Sequence, residues 1–166
     1  MTAAPSNFDP NGFLLAVVDA RAARWMRATR TAAGRLHVEE VARLDEKWDE
    51  KEHHRPMSLT PHPDGHSYAG TGHVEDERRH RFAKQVAHWL GEQTAAARAE
   101  RVHVFAPAGF LGELRKQLPA ALAAKIADEA HDLGRLHAGQ IAEHPAVQAI
   151  PGADERRFLD QRLKRD

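Results

Sequence analysis

The 166-residue sequence predicts an α/β domain built on a mixed five-stranded sheet. Three observations carry that expectation. Residues 13–18, FLLAVV, form one unbroken apolar run rich in strand formers, as a strand buried on both faces requires. Two further strand-like stretches follow, separated by the turn signal Gly34. Beyond residue 74, helical and strand-like segments alternate.

The elements follow in order. Residues 22–29, AARWMRAT, and 35–43, RLHVEEVAR, complete a three-stranded meander anchored by Trp25, Leu36, Val38 and Val41. Residues 45–73 break the pattern with Pro56, Pro61, Pro63, Gly65, Gly70 and Gly72, and read as a long loop. A long helix is expected over 74–99. Phe82, Val86, Trp89 and Leu90 fall on one stripe, and Glu75, Asp76 and Glu77 are placed in its first turn. Residues 101–106, RVHVFA, alternate as a fourth strand that Pro107 ends. Residues 108–118 carry Phe110, Leu111, Leu114 and Leu118 at helical spacing, and Pro119 opens a short helix to 124. Residues 125–131 are placed as the fifth strand, and 138–143 as a short helix stopped by Pro145.

The order is β-β-β-α-β-α-β-α, which is similar to a ribonuclease-H-like sheet. The chain divides into a polar tail at 1–12, one α/β domain at 13–145, and a charged tail at 146–166. Phe158, Leu159 and Leu163 give the last segment a helical stripe.

Composition narrows the function classes. With 42% hydrophobic and 29% charged residues, the chain is globular in character. It has no cysteine, so disulfides, thiolate zinc sites and cysteine nucleophiles are excluded together. Acids and bases balance at a formal charge of zero, which counts against a protein that coats nucleic acid by bulk charge. The longest apolar run has six residues, far short of the roughly 20 that span a bilayer. The N-terminus lacks the pattern of a secretory signal, so a soluble cytoplasmic protein without membrane contact is expected.

Two stretches resemble the bacterial host-attachment family. The first is VVDARAARWMRA at 17–28. The second is FAPAGFLGELRKQLPAAL at 105–122, continued by Asp132-Leu133 and by RLHAGQIAEH at 135–144. The likeness covers roughly 13–145. The family is similar in fold to the middle domain of archaeal and eukaryotic peptide-chain release factors. There the loop before the long helix carries a Gly-Gly-Gln tip that promotes peptidyl-tRNA hydrolysis. The corresponding stretch here offers Gly65-His66 and Gly70-Thr71-Gly72-His73, and 45–73 holds no glutamine. Release-factor chemistry is therefore not implied, whereas contact with ribosome or RNA remains an expectation of the resemblance.

Five of the twelve histidines lie in 53–73, where an even spread would place fewer than two. His53, His54, His62, His66 and His73, with Asp64, are the metal-ligand candidates, since imidazole suits Zn²⁺, Ni²⁺ or Cu²⁺. Their spacing matches no stereotyped site, and a solvated polar loop is the plainer reading. Arg78, Arg79, Arg81 and Lys84, with His66 and His73, are the RNA-contact candidates. The plainer reading there is a solvated helix face paired with Glu75, Asp76 and Glu77. A two-metal nuclease would need carboxylates on the first strand, the long helix and the fourth strand. Asp19 and Glu75–Glu77 supply the first two, but Phe105-Ala106-Pro107 supplies none, and Asp19 also suits a turn. Trp48, set among charges, is a candidate docking or base-stacking residue.

The expected function is a non-enzymatic binding domain that acts on a ribosome or structured RNA through 45–73, with no cofactor. The alternatives are an enzyme using the loop histidines with a divalent metal or as a pH-responsive group, and an adaptor that binds a protein partner.

Overall fold

The computed structural model describes residues 12–47 and 69–151, with side chains for all of these but 69–73. Strands β1 (Gly12–Val18), β2 (Ala22–Arg30) and β3 (Leu36–Asp45) form an antiparallel meander. Helix α1 (Ala69–Ala96) leads to β4 (Val102–Ala106), which lies parallel to β1. Helices α2 (Ala108–Gln117) and α3 (Ala120–Ala123) lead to β5 (Ile126–Ala130), parallel to β4. Helices α4 (Ala138–Glu143) and α5 (Pro145–Gln148) complete the described chain. The sheet order is β3-β2-β1-β4-β5, the mixed, ribonuclease-H-like arrangement that the sequence predicts.

The unbroken apolar run of β1 is explained by its central place. All seven of its residues are buried, because helices cover both faces. Leu14, Ala16 and Val18 point to one side, where Phe82, Val86 and Leu90 of α1 and Phe110, Leu111 and Leu114 of α2 pack. Phe13, Leu15 and Val17 point to the other, where Ile141, Ala142, Val147 and Ile150 close a second core. Trp25 meets Trp89 edge-on, with ring centroids 6.4 Å apart, tying β2 to α1.

The Gly34 turn holds as expected. Gly34 has φ +78°, a conformation glycine adopts without steric cost, and its amide donates to the Thr31 carbonyl at 2.8 Å. Other boundaries move. Helix α1 begins at Ala69 rather than 74, so Glu75, Asp76 and Glu77 lie past its first turn. Gly70 and Gly72, which read as breakers, sit inside it. The break expected over 45–73 is shortened at both ends, since β3 runs through Asp45. Strand β4 is buried along nearly its whole length, because β1 and β5 flank its edges and both layers cover its faces. Pro145 does not end the helical region. It occupies the first turn of α5, and the packed chain continues past the expected boundary at 145 to Ile150.

Candidate functional site

In a sheet of this order, the crevice between β1 and β4 lies where the chain departs in opposite directions, the usual place for a ligand. Asp19 follows β1 there. Its Oδ1 accepts the amides of Arg21 at 2.7 Å and Ala22 at 2.9 Å, while its own amide donates to the Ala22 carbonyl. A Cβ added at Gly134 would lie 2.9 Å from Asp19 Cγ and closer still to Oδ2, so the carboxylate is lodged against that glycine. Asp19 is thus a turn residue, the plainer of its two sequence readings. Strand β4 ends on Phe105-Ala106, followed by Pro107, and brings no acid.

The basic cluster opens into three different environments. Arg78 pairs with Glu46, whose side chain is only 8% exposed and whose amide donates to the Arg21 carbonyl. The hydrogen bond to Glu46 pushes the Arg78 guanidinium up from its ordinary range, against the smaller opposing effect of burial. This pair fastens the end of β3 to α1. Arg79 and Arg81 make surface pairs with Asp76 at 3.8 Å and Glu77 at 3.4 Å, the i+3 and i+4 pairing that the sequence suggests. Lys84 is exposed and makes no ion pair among the described residues. Arg81, Lys84 and His88 recur at helical spacing on the solvent face of α1.

Sequence reasoning missed Glu46. It lies in a stretch of mixed charge, and nothing local distinguishes it from Asp45 or Glu50. It also missed Arg24, a buried arginine on β2 that donates to Glu40 at 2.9 Å and to the Leu136 carbonyl at 2.6 Å. Arg24 shares the parity of Met26 and Ala28 on a strand buried on both sides over residues 23–26, and that parity was the available signal.

His53, His54, His62, Asp64, His66 and Trp48 lie outside the described residues. His73 belongs to α1, not to the loop where the sequence reading put it, because the helix starts earlier. Among the described residues, no group of three His, Asp or Glu side chains is arranged to hold a metal ion. No helix there is long and apolar enough to cross a membrane.

Among solved structures, the chain is similar to an archaeal translation termination factor with a TM-score of 0.40 and 12% identity, over 94% of this chain and 41% of that one. A second similar structure, described as an archaeal protein, gives a TM-score of 0.40 and 16% identity, over 95% and 40%. The chain thus spans less than half the length of either. No curated protein matches the sequence. A family match covers residues 14–144, from the second residue of the β1 apolar run to the residue that caps α5. On that match the chain belongs to the host-attachment family, described as proteins required for attachment to host cells.

Proposed function

We propose that this family member is a non-enzymatic binding domain whose partner is a ribosome or another structured RNA, engaged by the solvent face of α1. The observation that carries the reading is the set of accessible cations on that helix. Arg81 and Lys84 share the outer face with His88, and Arg79 stands nearby on the preceding turn. The pairs made by Arg79 and Arg81 are exposed, and such pairs contribute no more than about 1 kcal/mol. A phosphate oxygen can replace the carboxylate at small cost. Arg78 is assigned a different role, since its pair with buried Glu46 holds the helix in place.

The non-enzymatic part of the proposal rests on the crevice between β1 and β4. The acid at its rim is committed to a turn, and the opposite strand ends in proline. The zero net charge of the whole chain means that affinity must come from a local patch and fall quickly with salt.

Co-sedimentation with ribosomes at low and moderate salt tests the reading. The full chain is expected in the ribosomal fraction at low salt and to leave it as salt rises. An Arg81→Ala/Lys84→Ala variant is expected to bind about ten-fold less and to show a shallower salt dependence, by roughly 0.9 in log–log slope for each phosphate that the variant no longer neutralises. Absence of the unmodified chain from the ribosomal fraction at low salt would sink the proposal.

A further inference from the structure

Helices α4 and α5 form a flap over the second face of the sheet. Ile141, Ala142, Val147 and Ile150 are its buried side chains, seated on Leu15, Val17, Met26 and Val38. Two arginines of β2 fasten its backbone. Arg24 donates to the Leu136 carbonyl at 2.6 Å, and Arg30 donates to the carbonyls of Gln148 and Ile150 at 2.9 and 3.1 Å.

Both flap helices begin on a histidine. Nδ1 of His137 accepts the Gln140 amide at 3.3 Å, and the Gln140 side chain returns the contact by accepting the His137 amide at 3.1 Å. Nδ1 of His144 accepts the Ala146 amide at 3.1 Å. Gly139 leaves room for the first ring, since a Cβ there would stand 3.3 Å from its Cε1 and Nδ1. The usual residues at this position are Ser, Thr, Asp and Asn. They keep their acceptor oxygen in mild acid. An imidazole that takes up a proton has two donors and no acceptor, and it does so in the range pH 5–8.

We propose that the α4–α5 flap is an acid-released cover: protonation of His137 and His144 removes both helix caps and loosens residues 138–150 from the apolar sheet face beneath. The sign is fixed by the bonding. Only the unprotonated ring accepts, so closure is complete above the histidine range and is lost as pH falls through it.

Charged groups of neighbouring elements face both caps. The His131 ring centroid lies 5.2 Å from that of His144, and His131 Nε2 is 3.2 Å from Glu129 Oε1. A second imidazole and a carboxylate therefore stand beside the His144 cap in the closed flap. At the other cap, Arg24, paired with Glu40 of β3, holds a fixed positive charge at the carbonyl just before His137. The hydrogen bonds of Arg24 and Arg30 do not involve either histidine, so the flap stays tethered at both ends while its helices fray.

Native-state hydrogen exchange on the full chain at pH 7.5 and 5.5, corrected for intrinsic exchange, tests the proposal. Protection of amides 141–150 is expected to fall about ten-fold or more on acidification, the effect of losing two caps, while β1 and β4 keep theirs. In the His137→Asn/His144→Asn variant, both caps keep an acceptor that does not titrate, and flap protection is expected to become independent of pH. Each single variant should remove part of the acid effect, which preserves the test if the double variant folds poorly. An unchanged flap in the unmodified chain, an equal acid loss in the Asn variants, or a joint loss of flap and sheet protection would each overturn it.

Discussion

Asp19 shows how one residue can carry two meanings until its partners are known. As the first polar group after the first strand, it stands where a nuclease of this topology keeps a carboxylate. Its oxygens instead serve the β1–β2 turn and abut Gly134, far away in sequence. The turn half of that role was readable from residue type. The Gly134 half was not, because only folding brings the two together. Gly134→Ala is accordingly expected to destabilise the protein by about 1–3 kcal/mol, since the new methyl must displace a hydrogen-bonded carboxylate. A drop in the thermal midpoint checks this. Arg24 follows the same logic. Arg24→Met keeps the apolar stem but strands the Leu136 carbonyl and leaves Glu40 only its longer contact with Arg43 at 3.8 Å, and is expected to lower stability by about 1–3 kcal/mol in urea unfolding.

At the scale of elements, ends proved harder to read than middles. The stripe Phe82, Val86, Trp89, Leu90 set α1 correctly, because a period of 3.6 is a property of the sequence itself. Its start was misplaced because Gly70 and Gly72 weaken local propensity, which does not decide the fate of a long packed helix. Its end is a Schellman turn. The Ala99 amide donates to the Thr94 carbonyl, the Arg98 amide to that of Ala95, and Arg98 takes φ +49°. Arg98→Gly removes the side-chain crowding of that conformation and is expected to raise stability by about 0.5–1 kcal/mol, measurable as a higher denaturant midpoint. Between α2 and β5, Arg115 grips Asp128 with two hydrogen bonds at 2.9 and 2.7 Å. That grip, chiefly its hydrogen bonding, holds the Asp128 carboxyl below its ordinary range. The contribution is therefore complete above the usual carboxylate pKa of about 4 and is lost as pH falls below it. Asp128→Asn should flatten the acid limb of the stability curve below about pH 4, and only slightly, because the pair is open to solvent.

Across the whole molecule, the two helical layers share one central strand, and this shapes how the protein comes apart. Leu15 and Ala16 on β1 face opposite cores. A cavity on either side weakens the strand that both layers need. Leu15→Ala is expected to cost about 2–5 kcal/mol and to leave one cooperative transition, with far-UV dichroism and tryptophan fluorescence changing together. Separate midpoints for the two signals would show that the layers unfold independently. By itself the sequence determined the sheet's composition, the central strand, the helix stripes and the membership of a family, because hydrophobic period and local motif are written along the chain. Tertiary structure alone decided which charges are spent and which are accessible. Glu46 meets Arg78, Arg24 meets Glu40 and a distant carbonyl, and two histidines become helix caps, since each of these depends on groups that only the folded chain brings within hydrogen-bonding distance.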